Sequence, residues 1–228
     1  ELAVERRHER AHVAASLWPH AVRYGKTIAN LPFVRMVTVT GALAVDNVDP
    51  GADIDYLIVT EPGRLWFCRL LVVSLVRLAA RQGSIVCPNY FLSERALVLQ
   101  ERNLFTAREL VQMVPVAGLA TYELMRRLNP WATSYLPNAD GPPPKQYSCG
   151  LTRIKPIRRL AEMTLRFPLL NRLERWEMDR KVRKFNRRLN GHAEANFSPD
   201  WCKGHFDGHG RRILHAYGER LQTLDAAQ

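Results

Sequence analysis

A chain of 228 residues, 46% of them apolar, is long enough for one sizeable core with an appendage, and its formal charge of +11 points to an anionic partner such as nucleotide, nucleic acid or an anionic surface. The charge is uneven: residues 1–150 hold 16 Lys/Arg against 13 Asp/Glu, and residues 151–228 hold 17 against 9. The longest apolar run, Leu65–Ala80, carries Arg69 and Arg77 and is too short to span a bilayer, so no transmembrane segment is expected.

In chain order, residues 2–29 read as a helix, with Val4, His8, Ala11, Ala15 and Ala21 near one stripe and Pro32 just past its end. Phe33–Thr40 is strand-like and stops at Gly41. The loop Asp46–Ala52 is rich in turn residues, and its Asp46 and Asp49 read as solvated loop acids. A second strand runs to Thr60. Glu61-Pro62-Gly63 then turns the chain into a core helix, Arg64–Gln82. Ser84–Leu92 is a further strand, at an edge or bulged at Pro88 because proline has no N–H to give. Ser93 and Glu94 look like a helix start. Leu97–Leu128 reads as helix, interrupted at Pro115 and Gly118, with Thr106 and Glu109 as a capping box.

The proline-rich stretch 131–147 reads as a linker between a first domain, 1–130, and a basic helical extension, 148–228. In that extension the run Arg180–Arg188, with Trp176 and Phe185 nearby, suits either the solvated face of an amphipathic helix or contact with RNA or DNA phosphates. Ser198-Pro199-Asp200 reads as the start of a last helix. Cys202, His205 and His209 would share one face of it, too few ligands from one element for a zinc site, while Lys203 and His205 would lean over a cleft and meet phosphate. The four cysteines (Cys68, Cys87, Cys149 and Cys202) form no CxxC pair. With a charged opening stretch that reads as no secretory leader, they suit reduced thiols and a cytoplasmic location. The expected class is therefore α+β: a short mixed sheet flanked by helices, followed by a basic all-helical extension.

The chemistry concentrates in Val37–Thr60. Asp53 and Asp55 are separated only by Ile54, so on a strand both carboxylates point the same way, roughly 7 Å apart along the backbone. Leu57, Ile58 and Val59 follow at once, which puts the pair at the rim of a buried sheet. Two like charges on one face cost free energy unless a cation offsets them, and hard ions such as Mg²⁺ favour these ligands.

Gly41-Ala42, ten residues, then Asp53-Ile54-Asp55-Tyr56 resembles the nucleotidyltransferase fold shared by DNA polymerase beta and many small bacterial enzymes, and more closely an uncharacterised bacterial nucleotidyltransferase-domain group. The likeness covers about residues 33–95. It implies Mg²⁺ or Mn²⁺ on Asp53 and Asp55, a nucleoside triphosphate substrate with its phosphates at the Gly41-Ala42 turn, and transfer to a hydroxyl acceptor. It also implies a third carboxylate on a later strand. Two residues depart from the pattern: Ala42 stands where the family has Ser, and Asn89 stands nearest the third metal-site position, with Glu94 just beyond it. Asn can offer a carbonyl oxygen but not a base. The alternatives are a catalytically degenerate nucleotide- or partner-binding module of the same fold and a nucleic-acid-binding protein.

Overall fold

The computed structural model describes residues 2–80, 86–139, 156–186, 196–203 and 209–225. Helix α1 (Leu2–Ala29) buries Ala14, Trp18, Ala21 and Ile28 along one stripe. Strands β1 (Val34–Val39) and β2 (Ile54–Thr60) pair antiparallel, with the single turn α2 (Gly41–Ala44) between them. Helix α3 (Leu65–Ala80) leads over to β3 (Val86–Ser93), which lies parallel to β2. Then come α4 (Leu104–Gln112), β4 (Val114–Ala117), α5 (Leu119–Leu128) and α6 (Ala132–Tyr135). The remaining elements are α7 (Pro156–Thr164), α8 (Pro168–Asn186), β5 (Asn196–Phe197), β6 (Trp201–Lys203) and α9 (His209–Asp225). The strands form one mixed sheet in the order β4-β1-β2-β3-β6-β5. The α+β class expected from the sequence is the class found. Among the described residues no helix is long and apolar enough to cross a membrane.

The sheet separates two apolar layers. Ile54, Tyr56 and Ile58 of β2 face α1 and α3, where Trp18, Ile28 and Trp66 are buried. Leu57 and Val59 face the opposite layer, with Leu110, Met113, Tyr122 and Met125 from the α4–α5 region. This alternation is the pleat of a strand buried on both faces. Asp55 shares its face with Leu57 and Val59, so its carboxylate comes out on the α4 side.

Three expectations are corrected. Residues 97–128 are not one interrupted helix: Val114–Ala117 is a strand on the outer edge of β1, where Pro115 needs no N–H partner. Gly118 follows at φ +78°, and a Cβ there would lie 2.1 Å from the Arg35 carbonyl oxygen, so only glycine lets the chain pass β1 this closely. The α4 cap is Asn103, whose Oδ1 accepts from the Thr106 N–H at 2.9 Å, and not the Thr106–Glu109 box. Second, Ser198-Pro199-Asp200 opens no helix. It is the turn of a β5–β6 hairpin, closed by the Ser198 N–H to the Trp201 carbonyl at 2.9 Å, and β6 pairs with β3. The basic half is therefore not all helical. Third, residues 131–139 are not free spacer: α6 buries Ala132, and Trp131 and Leu136 pack on the α4–α5 core. Residues 140–147 of the expected linker lie outside the described residues.

The C-terminal half is tied to the sheet by carboxylates. Glu174 of α8 accepts from the Trp66 and Phe67 N–H groups at 2.8 and 2.7 Å, capping α3 from outside. Glu162 of α7 is buried, accepts from the Phe33 N–H at 2.8 Å, and pairs with Arg35 at 3.1 Å and Arg158 at 3.0 Å. Arg35 also pairs with Glu61, which in turn meets Arg166 at 2.9 Å. Burial alone would raise the Glu162 carboxyl, but the Phe33 N–H and the two arginines more than offset it and hold it below its ordinary range.

Candidate active site

At the other end of β2 the charges are arranged differently. β1 ends at Val39, and Thr40 donates its N–H to the Asp55 carbonyl at 3.0 Å, which fixes the turn against β2. Gly41 then adopts φ +66°, and a Cβ on it would sit 2.6 Å from Asp55 Oδ2. The glycine predicted from sequence is thus required twice, by its dihedral and by the carboxylate beside it. The single turn α2 leads away, and the following loop is held by α1: Trp18 Nε1 donates to Asp46 Oδ1 at 2.7 Å, and Arg10 pairs with Asp49 at 2.8 Å. Asp46 is accordingly a part-buried loop acid tied to α1, while Asp49 stays exposed to solvent beside Arg10, as expected of a loop acid.

Asp53, Asp55 and Cys87 each place a donor atom within 4.8 Å of the other two. The parallel register explains this, because Asp55 stands opposite Cys87. One further residue is inserted in β3 before Leu57 meets Tyr90, a bulge at Pro88–Asn89. Of the two placements open to Pro88, the bulge is the one found; β3 is internal, between β2 and β6. Asn89 turns its amide toward the pair: Nδ2 donates to Asp55 Oδ1, and Oδ1 accepts from the Cys87 thiol at 2.8 Å. Asn89 thus faces Asp55 as a donor, and the group completing the cluster with the two aspartates is the thiol.

These residues line a cavity of about 670 Å³. Its remaining walls come from α4, β6 and α9, and Glu109, Glu101, Arg108 and Lys203 reach it. Lys203 pairs with Glu101 at 2.6 Å. Burial, and then the charges of Asp53 and Glu109, push the Asp55 carboxyl up to about 7. Burial pushes the Cys87 thiol up to about 12, with a contribution from Asp53 and Asp55. Glu109 is raised by burial, partly offset by Arg108 and Lys203. Among the described residues, neither Asp53 nor Asp55 has a Lys or Arg partner. The two aspartates therefore hold no direct ion pair among the described residues, although Arg108 and Lys203 line the same cavity.

Of the residues singled out in the sequence, Asp53, Asp55, Gly41, Ala42, Asn89 and Lys203 all line this one cavity. Lys203 arrives there from strand β6, not from a helix. His205 lies outside the described residues. Glu94 is elsewhere, in a short 3-10 turn capped by Ser93, with its carboxylate 4.0 Å from Arg35. The described part of the basic run, up to Asn186, forms the end of α8, where Arg180 pairs with Glu177 at 2.6 Å and stacks over the exposed Trp176 ring; Arg187 and Arg188 lie outside the described residues. Trp176 thus lies on the solvent side of α8, beside the basic run.

Sequence reasoning missed Cys87 and Glu109. Cys87 was legible, since it stands two residues before Asn89 on the strand already singled out for the third metal-site position. Glu109 carried no such sign: the same acid reads as a cap partner until tertiary packing turns α4 toward Asp55. In comparisons with known proteins, no family model matches the chain, and no curated protein or solved structure is significantly similar to it.

Proposed function

We propose that the chain is a nucleotidyltransferase that moves a nucleotide from a nucleoside triphosphate to a hydroxyl acceptor, a small molecule, RNA or protein, in the cytoplasm. One observation carries the reading: two carboxylates one residue apart, neither paired with a Lys or Arg among the described residues, converge beside a glycine turn that has no room for a side chain. The donor set fits a divalent ion, because Asp53 and Asp55 offer hard oxygens at one rim of an open cavity. When bound there, Mg²⁺ or Mn²⁺ supplies neutralisation of the triphosphate and a more acidic acceptor hydroxyl.

The chain's own groups divide the remaining work. Gly41 and Ala42 form a wall without polar side chains, which lets phosphate oxygens approach the backbone. Arg108 and Lys203 bring positive charge to the same cavity. Asn89 orients Asp55 through its amide. Glu109, the carboxylate of the α4 wall, accepts the proton that the acceptor hydroxyl loses. Three described cysteines, Cys68, Cys87 and Cys202, are unpaired thiols, which supports a reducing compartment.

Asn89 supports a second reading. A strand position that would carry a carboxylate carries an amide instead, which suits a module that binds nucleotide without transferring it. Purified protein with Mg²⁺ and each labelled nucleoside triphosphate separates the two. Consumption that disappears on Asp53→Asn with Asp55→Asn supports transfer. Cation-dependent binding without consumption across a broad acceptor screen supports the module. Absence of any nucleotide binding contradicts both.

A further inference from the structure

Cys87 has no part in the reading above, yet it is the residue closest in kind to a missing ligand. Cys68 and Cys202 are buried in the apolar layer behind the sheet. Among the described residues, Cys87 is the thiol that reaches the cavity, and it does so beside Asp53 and Asp55. A single amide holds both flanking groups: Asn89 donates to Asp55 and accepts from Cys87. The bond from the amide N–H favours the ionised, ligating form of Asp55 and fixes its direction, while the S–H bond to Asn89 Oδ1 points the Cys87 sulfur to the same place and is given up when the thiol ionises on a metal.

We propose that Cys87 is a metal ligand, and that Asp53, Asp55 and Cys87 form a mixed oxygen–sulfur centre that takes Zn²⁺ in preference to Mg²⁺. The proposal rests on the reading of Asp53 and Asp55 as a cation site but does not require nucleotide transfer. The geometry is near what is needed. A tetrahedral zinc with sulfur at about 2.3 Å and oxygens at about 2.0–2.2 Å spaces its ligands by about 3.5 Å. The three donors already lie within 4.8 Å of one another, so closure takes a movement on the order of 1 Å. The chemistry selects the ion. Mg²⁺ takes oxygen ligands and gains little from sulfur, whereas thiolate favours zinc and its neighbours in the first-row series. On binding, the Cys87 S–H proton passes to water and the sulfur ligates as thiolate, with no change in oxidation state. Three protein ligands leave a fourth position open to water or to a phosphate oxygen.

Co²⁺ is the spectroscopic probe and Zn²⁺ the competitor, both added to the full chain. Wild-type protein should give a thiolate-to-cobalt charge-transfer band that Zn²⁺ bleaches. Cys87→Ser should abolish the band and weaken Zn²⁺ binding by at least about tenfold, the scale seen even for outer partners of metal ligands, while Mg²⁺ binding stays unchanged. A second measurement needs no variant: in wild-type protein, Zn²⁺ but not Mg²⁺ should slow alkylation of Cys87 by iodoacetamide, read on the Cys87 peptide. Absence of the band, its survival in Cys87→Ser, or an alkylation rate indifferent to Zn²⁺ overturns the proposal. If the cobalt band appears but no nucleotide binds, the nucleotidyltransferase reading fails and this one stands. If nucleotide binds with Mg²⁺ but cobalt shows no thiolate band, the outcome is reversed.

Discussion

The two ends of β2 carry charged clusters of opposite character. At the Thr60 end, Glu61 and Glu162 are matched by Arg35, Arg158 and Arg166, and the Glu162 carboxyl lies below its ordinary range. At the Ile54 end, Asp53 and Asp55 converge without such partners among the described residues, Glu109 is only partly offset by Arg108 and Lys203, and Asp55 rises to about 7. Like charges on one sheet thus meet two fates. Matched carboxylates stitch α7 and β1 together, and they explain why the C-terminal half is part of the structure rather than an appendage. Unmatched ones are a cost to the fold and are retained only if a ligand offsets it. The same contrast places a stabilising network at the Thr60 end and supports the chemistry proposed for the Ile54 end.

Substitutions at the two ends should therefore separate cleanly. Asp53→Asn with Asp55→Asn should lower nucleotide consumption by at least about three orders of magnitude, since several kcal/mol of charge stabilisation is lost. The melting temperature should not fall, because two repelling charges are removed; a large fall would erase the distinction between the ends. Glu162→Gln should do the reverse. Breaking a buried pair costs about 3 kcal/mol, read by urea denaturation, while consumption per folded molecule stays at the wild-type level.

The acid limb sharpens that second case. Glu162 has a folded pKa below its ordinary value of 4.5, so the unfolded chain binds more protons just under that value. The stability it contributes is complete above about 4.5 and is lost as pH falls through the lowered folded value. Denaturation midpoints measured against pH should show this loss in wild type and a flatter limb in Glu162→Gln.

Smaller effects test the cavity wall. Glu109→Gln should reduce turnover by about a hundredfold, the low end for a general base, with nucleotide affinity nearly unchanged. Equal losses in turnover and affinity would make Glu109 a binding group instead. Smallest is Lys203→Ala. Its partner Glu101 is half exposed, so the ion pair contributes under about 1 kcal/mol to stability, and the measurable change should be a severalfold rise in the KM for nucleotide.

The legible part of the molecule is the part written locally. Gly41 and Asp55 were placed by turn chemistry and strand alternation, Asp53 falls one residue before β2 rather than on it, and Pro88 announced its bulge by lacking an N–H. What stayed hidden was set by distant partners. Val114–Ala117 is short, apolar and ambiguous in period, and it becomes a strand only because β1 offers an edge. Ser198-Pro199-Asp200 is turn chemistry that opens helices and closes hairpins alike; pairing of β6 with β3 decides it. Glu109 and Glu162 have ordinary helical contexts, and only packing sends one toward Asp55 and the other under Phe33.

The central claim is that the Ile54 end of β2 binds nucleotide through a cation held by Asp53 and Asp55. Calorimetric titration of wild-type protein with a non-hydrolysable nucleoside triphosphate, with Mg²⁺ and again with chelator, tests it most directly. The account predicts binding of at least one nucleotide that requires the cation and vanishes in the Asp53→Asn, Asp55→Asn protein. Binding that ignores both chelator and substitutions, or no binding of any nucleotide by folded wild-type protein, would contradict it.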